Sequence, residues 1–300
     1  MTEWITGLEG TEAGHTVALI LALLAAVLHA FFGALQKGRH DPWLSRGAID
    51  FAYGIMAAPI ALFIVPWPAP ELIPLFILIW AVHIGYKASQ AFTYTLGSYT
   101  VVYPVVRGTG PLFTVIGAGF LFGEHFNLVQ WLGVGLLVSA IYGLGLYNLR
   151  HWQVNRDTLK PALAMAVLTG LFVAAYTTID AYGIRATPNP FTFLAWFFMI
   201  DGLTFPVVAL IRYRRMEVRP ALGPLAVRGF IGGIVAYLSF GSIMLATRLD
   251  DVGQAAVLRE TSTVFAALIG WLVLGESTGP RRVFLMAMIA LGAVIVEMGG

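Results

Sequence analysis

The sequence predicts an all-α polytopic membrane protein whose ten transmembrane helices form two inverted five-helix repeats. Of its 300 residues 58% are hydrophobic and 11% charged, with a mean hydropathy of +0.80, more apolar surface than the core of a soluble domain hides. Apolar runs of roughly 20 residues, long enough to cross a bilayer, follow one another with short turn-rich breaks between them. One stretch also occurs twice. Residues 101–124, VVYPVVRGTGPLFTVIGAGFLFGE, align without a gap on 253–276, GQAAVLRETSTVFAALIGWLVLGE, at an offset of 152. They share Val105/Val257, Arg107/Arg259, Thr109/Thr261, Phe113/Phe265, Gly123/Gly275 and Glu124/Glu276.

The N-terminal MTEWITGLEGTEAGH carries three glutamates and no Lys or Arg, the opposite of a signal peptide's basic start, so the first apolar run is expected to stay as a transmembrane helix. The first five spans are read at 16–35, 44–65, 72–96, 100–122 and 127–147. After a polar linker at 148–158 come 160–180, 190–211, 226–247, 252–274 and 281–298. The repeat carries span 3 onto span 8, with Thr95 on Thr247, and DPWL at 41–44 and NPFT at 189–192 open spans 2 and 7 alike. Five is an odd number, so the second copy enters from the opposite side, the inverted-repeat architecture of many secondary transporters. Pro104 and Pro111 remove two backbone donors from span 4, which is expected to loosen between Arg107 and Pro111, whereas span 9 is expected to run straight.

On the side of the first loop the ends and loops carry Lys37, Arg39, Arg46, Arg150, Arg156, Lys160, Arg212, Arg214, Arg215, Arg219, Arg281 and Arg282, against Arg185 and Arg248 on the other. Twelve against two places the odd-numbered loops in the cytoplasm and both termini outside. The net charge of +2 reflects those loops and implies no nucleic-acid partner. With no cysteine there are no disulfides, thiolate metal sites or cysteine nucleophile. HExxH, GxxxxGK[ST] and His/Asp/Glu groups at metal-ligand spacing are all missing, so neither an enzyme nor a metal or cofactor is expected. Without an ATP site, the energy for transport must come from a gradient.

An arginine inside a membrane span needs a partner or water. Arg107 and Arg259 each lie seven residues into their spans, roughly 10 Å below opposite surfaces. Each heads a row of small residues, Gly110, Thr114 and Ala118 in one and Ser262, Ala266 and Gly270 in the other. Such rows either pack helices closely or leave room for a solute. The solute reading makes Arg107 and Arg259 an anion relay, one near each mouth, with Thr114 and Ser262 beside them; the structural reading locks each to Asp50, Asp201, Glu260 or a backbone carbonyl. Guanidinium suits carboxylate and phosphate groups. Span 3 adds His83, Lys87, Gln90 and Tyr94 on one helical face, the signature of a wet cavity. In the repeat His83 falls on Val235 and Lys87 on Ser239, so the cavity is expected to be asymmetric in charge. Glu260, Asp201 and His29 are the candidates for ion coupling, while Asp50 and Glu297 are read as paired or near helix ends.

The stretches YPVVRGTGPLFTVIGAGFLFGE and LRETSTVFAALIGWLVLGE, with the five-plus-five repeat, resemble the EamA-type family of the drug/metabolite transporter superfamily over nearly the whole chain. Leu28, His29, Ala30 and Ala34 echo an LHAxWNA pattern, with Phe32 and Gly33 where Trp and Asn are expected. The resemblance implies two EamA-like repeats, 1–150 and 151–300, in one membrane domain. It further implies an exporter or exchanger of small metabolites with a central cavity between helices 1, 3, 4, 6, 8 and 9. The family is usually drawn with both termini in the cytoplasm, against the charge count here. Small multidrug exporters of the superfamily carry a glutamate in their first helix, and span 1 has none, which argues against cationic drugs. The expected substrate is a small anionic or zwitterionic metabolite, moved by alternating access across a bacterial inner membrane. Flipping of a lipid-linked sugar and an integral membrane enzyme are the alternatives. The expected partners are this solute and the lipid bilayer, with a homodimer as a compatible assembly.

Overall fold

The computed structural model describes residues 2–36, 41–97, 99–151, 156–272 and 279–300, and every regular element among them is helical. A short helix, Thr2–Thr6, precedes ten helical spans: Glu12–Gln36, Pro42–Phe63, Ile73–Leu96, Tyr99–Phe122, Leu128–His151, Arg156–Ala186, Pro190–Asp201 with Thr204–Arg215, Leu222–Leu249, Val252–Arg259 with Ser262–Leu272, and Pro280–Met298. Spans 1 to 8 are long and apolar enough to cross a membrane. Span 9 is broken near its middle, and span 10 carries Arg281, Arg282 and Glu297 at its ends. Lys37, Arg39, Gly275, Glu276 and part of the polar linker, 152–155, lie outside the described residues.

Helix packing keeps its pattern when each span is exchanged for the one five further on. Span 4 packs on span 6 and span 9 on span 1; span 3 packs on span 6 and span 8 on span 1; spans 2 and 7, and spans 5 and 10, pair with each other. The last two pairs each cross at glycines. A Cβ on Gly202 would meet the Gly54 Cα at 2.7 Å, and one on Gly292 would meet the Gly133 carbonyl oxygen at 2.7 Å. Only glycine lets two backbones approach so closely. DPWL and NPFT do open their spans alike. The Asp41 carboxylate accepts from the backbone N–H groups of Trp43 and Leu44, and the Asn189 amide oxygen accepts from that of Phe191. Each is an N-cap followed by proline in the first turn.

The expectation for the backbone of spans 4 and 9 is reversed. Span 4 is one helix from Tyr99 to Phe122 despite both prolines. It is held from two sides, Gly108 lying against the Tyr142 ring and Gly110 against Val173. Span 9 breaks at Glu260 and Thr261, where N–H groups reach back three residues instead of four: Glu260 to Val257, Thr261 to Leu258 and Thr263 to Glu260. The cause is the run Glu260, Thr261, Ser262, Thr263. The Thr261 hydroxyl donates to the Leu258 carbonyl at 2.7 Å and the Thr263 hydroxyl to the Glu260 carbonyl at 2.9 Å, so side chains compete for the backbone acceptors of the ladder.

Two readings of helix ends also change. Arg46, counted above with the loops, is buried inside span 2. Asp180, read as the end of span 6, is buried one and a half turns before it. An aromatic core of Tyr53, Phe76, Tyr86, Tyr176, Phe193, Phe197 and Phe198 fills the space between spans 2, 3, 6 and 7. An aliphatic core joins spans 1, 5, 8, 9 and 10.

Candidate functional site

The intramembrane charges collect in two buried clusters. The first is built by the break in span 9. Shortening the ladder there frees the Arg259 carbonyl, and Arg107 of span 4, at the repeat offset of 152, donates Nη2 to it at 3.2 Å. The same Nη2 donates to the Ser262 hydroxyl at 2.6 Å, and Nε lies 2.7 Å from Glu260 Oε2. Nη1 is 3.2 Å from His29 Nε2 of span 1. A guanidinium only donates, so that nitrogen accepts and His29 is the neutral Nδ1–H tautomer. Arg107 is thus hydrogen-bonded through its two terminal nitrogens and ion-paired through Nε, all to spans 1 and 9.

Arg259 is placed differently. Its Nη2 reaches the Tyr176 hydroxyl at 3.1 Å and its Cζ lies 5.5 Å from the centre of the Phe240 ring, while no carboxylate pairs with it among the described residues. A void of about 20 Å³ adjoins both guanidiniums, lined by His29, Tyr86, Gln90, Tyr94, Tyr103, Tyr176 and Glu260. A second, of about 10 Å³, lies on the other side of Arg259 between Tyr176, Asp180, Phe240 and Thr247. Together they are lined by spans 1, 3, 4, 6, 8 and 9. Each is about the size of one water, so the site is closed around its charges.

The second cluster sits between spans 2, 3, 6 and 7. Lys87 Nζ lies 2.5 Å from Asp50 Oδ2 and 2.7 Å from Asp201 Oδ1, and it also donates to the Tyr53 hydroxyl and the Asp201 carbonyl. Arg46 Nε pairs with Asp50 Oδ1 at 2.8 Å, one turn away on the same helix. The Tyr53 hydroxyl donates to Asp201 Oδ2 at 2.5 Å. His83 Nε2 lies 3.0 Å from Asp180 Oδ2 and its Nδ1 3.6 Å from Asp201 Oδ1. Asp50 and Asp201 lie against Lys87, and Asp50 also against Arg46, which offsets their burial, whereas Asp180 pairs only with His83 among the described residues.

The polar face of span 3 is therefore divided. Gln90 and Tyr94 line the void beside the arginines, whereas His83 and Lys87 turn into the carboxylates of the second cluster. Lys87 is not a third cation at the solute cavity. Nor do Arg107 and Arg259 stand one at each mouth, because they meet at one void near the centre of the bundle. Thr114 is buried and donates to the Gly110 carbonyl at 2.9 Å, away from the void. Of the coupling candidates, Glu260 and His29 hold Arg107, and Asp201 holds Lys87 and Tyr53. Tyr53, Tyr86, Tyr103, Tyr176 and Asp180 were not singled out from sequence. The clue for Tyr86 was its spacing of four before Gln90, whose amide it accepts from at 2.7 Å.

At the end of the bundle where spans 8 and 9 join, polar contacts close the molecule. Glu124 accepts from the backbone N–H groups of Val252 and Gly253, the N-terminus of span 9, at 2.8 and 2.9 Å. Arg185 donates to the Thr247 and Asp250 carbonyls, and Arg248 pairs with Glu9 at 2.7 Å. His15 Nδ1 meets Asp250 at 2.5 Å.

Comparison with known proteins completes the description. Residues 160–298 match the family model of the EamA-like transporter family. A solved structure described only as "Crystal structure of protein" has a TM-score of 0.74, at 15% sequence identity, over 96% of this chain and 98% of its own; the likeness is one of fold. The uncharacterized protein y4nH of Sinorhizobium fredii is 38% identical over 42 residues, which make up 14% of this chain and 36% of that protein's length.

Proposed function

We propose, from the match of residues 160–298 to the family model of the EamA-like transporter family, that the protein is a secondary transporter of a small anionic metabolite. The two halves, 1–150 and 151–300, are the repeats that rock about the central void to alternate access. The bias of basic residues favours an inner membrane with both termini outside.

One observation carries the choice of an anion. Around the central void two guanidiniums, Arg107 and Arg259, face a single carboxylate, Glu260, with His29 neutral. The central void itself holds one positive charge in excess, Asp180 lying across the second void on the far side of Arg259, and Arg259 has no carboxylate within ion-pair distance among the described residues. A carboxylate or phosphate docked on Arg259 supplies the missing charge, with the hydroxyls and amide of Tyr86, Gln90, Tyr94 and Tyr176 around it. In so dry a site a charge-assisted bond to a planar fork is stronger than in water.

A thermal-shift screen of the purified protein tests this. Gluconate, L-glutamate and glycerol 3-phosphate are compared with uncharged glycerol and cationic ethylammonium. A ligand that binds the folded state raises Tm by mass action. At least one anion is expected to stabilise the wild type and to lose that effect in Arg259→Ala. Stabilisation by the cation alone, or an anion effect that survives Arg259→Ala, rules the reading out.

A further inference from the structure

The second cluster has no part in holding the anion, and its charges do not cancel. Arg46 and Lys87 face Asp50, Asp180 and Asp201. Two cations against three carboxylates leave one negative charge in excess while His83 is neutral. The imbalance is sharpest at His83. Its Nε2 is within reach of Asp180, its Nδ1 lies 3.6 Å from Asp201 Oδ1, and that Nδ1 and Asp180 Oδ1 have no hydrogen-bond partner among the described residues. A neutral imidazole carries one N–H and satisfies one carboxylate, whereas an imidazolium donates toward both.

We propose that His83 is the proton-binding site of a proton-coupled anion symporter, one proton boarding the imidazole from water for each singly charged anion held at Arg259. This rests on the anion site described above. Over both clusters the cations Arg46, Lys87, Arg107 and Arg259 balance the anions Asp50, Asp180, Asp201 and Glu260, so the two clusters together are neutral with both histidines neutral. An anion boarding alone leaves a net charge buried in the membrane, which is costly; an anion with a proton leaves none. Coupling of this kind is reciprocal, so each raises the affinity for the other.

The two sites touch. Tyr176 meets Arg259 through its hydroxyl at 3.1 Å and His83 through its ring, centroids 4.8 Å apart. Asp180 and Arg259 line the same small void. The groups facing His83 are Tyr86 and Lys87 on its own span, Tyr176 and Asp180 on span 6, and Phe197 and Asp201 on span 7, with Asp50, Tyr53 and Arg46 of span 2 behind Lys87. In the repeat Val235 and Ser239 stand where His83 and Lys87 do. Only one copy is equipped for the proton, which fixes the stoichiometry.

Two measurements on the full-length protein test the proposal. The first needs no solute. In ¹⁵N-histidine-labelled protein the His83 signals are identified by their loss in His83→Gln. Arg259→Gln removes the same charge that a bound anion neutralises, and is expected to raise the imidazolium-to-imidazole ratio of His83 at pH 7 about tenfold. An unchanged ratio overturns the proposal. The second uses proteoliposomes with a pH-sensitive dye inside and inward gradients of gluconate, L-glutamate or glycerol 3-phosphate. Anion entry is expected to acidify the lumen by one proton per anion, and His83→Gln to lower that ratio toward zero. An undiminished ratio in His83→Gln overturns the proton site and leaves the anion reading standing. If none of the three anions moves, it is the anion reading that falls, and the first measurement still decides whether His83 answers to the charge at Arg259.

Discussion

Arg107 and Arg259 hold the same place in the two copies of the repeated stretch, yet one is locked and the other is open. Arg107 is held by Glu260, Ser262, His29 and the Arg259 carbonyl. Applying the repeat to Arg259 would put Gly108 where Glu260 is and Gly110 where Ser262 is. A side chain at position 108 would crowd Tyr142, since a Cβ there would come 3.0 Å from its ring. Span 9 also unwinds beside its arginine to offer a carbonyl, and span 4 does not. The repeat thus holds two equivalent cations, of which the first ties the halves together and the second has no carboxylate partner among the described residues, the position proposed above for a solute. A symmetric pair would be either two locked arginines with no site or two open ones with nothing to offset their burial.

The largest effect that can break this comparison is expected from Arg107→Ala. It strands Glu260 as a buried carboxylate without its partner, which costs about 3–5 kcal/mol. Chemical or thermal unfolding should show the loss whether or not an anion is present. Adding Glu260→Gln to that variant should recover part of it, because the uncompensated charge is then gone. If Arg107→Ala unfolds like the wild type, Arg107 is not the tie, and the division of labour between the two arginines is wrong.

How far the sequence carried this picture depends on the range of the interaction. The spans, the duplication and the like openings DPWL and NPFT are local or periodic signals, and the structure has them close to where the pattern puts them. The equivalence of Arg107 and Arg259, and the place of Gln90 and Tyr94 beside them, also follow from the repeat and from helical spacing, whereas Glu260 reaches Arg107 at the break in span 9, which spacing does not give. What spacing cannot supply is which of several buried partners a long side chain finds. Lys87 lies on the same face as Gln90, but its flexible stem carries Nζ to Asp50 and Asp201 on two other spans. Asp180 and Arg46 were hidden by boundaries, since hydropathy trims a helix at its first charge and both charges are inside. The reversal between spans 4 and 9 came from weighing proline and overlooking hydroxyls. A proline removes one donor and leaves a packed helix intact, whereas Thr261 and Thr263 offer backbone carbonyls a competing donor.

A smaller effect sharpens the same comparison. Ser262→Ala deletes the hydroxyl that accepts from Arg107 at 2.6 Å and makes the position resemble Gly110 of the other copy. One buried guanidinium nitrogen loses an acceptor, a cost of about 1–2 kcal/mol, and the remaining tie to Glu260 should keep the fold. The variant is expected to lower Tm while leaving the anion-induced shift in place, because that shift belongs to Arg259. An anion shift lost together with the hydroxyl means that Ser262 contacts the solute directly.

The smallest effect is expected at Glu124, which is only half-buried and partly screened by solvent. Burial pushes its carboxyl above the usual range, opposed by the N–H groups of Val252 and Gly253; burial likewise pushes up neighbouring Asp251, helped by Asp250. The sign follows from linkage. A carboxyl whose folded-state value lies above its unfolded value contributes stability that is complete below the unfolded value and is lost as pH rises through the folded one. The closed end around span 9 should therefore loosen as pH rises out of the ordinary carboxylate range. Amide hydrogen exchange at Val252 and Gly253, corrected for the intrinsic pH dependence of exchange, is expected to show lower protection over that rise. Glu124→Gln keeps an acceptor for one of the two N–H groups and no longer titrates, so the slope should flatten, with Asp251 supplying what remains. A slope equal to that of the wild type would mean that Glu124 is already charged in the closed end and that the helix N-terminus, not burial, governs it.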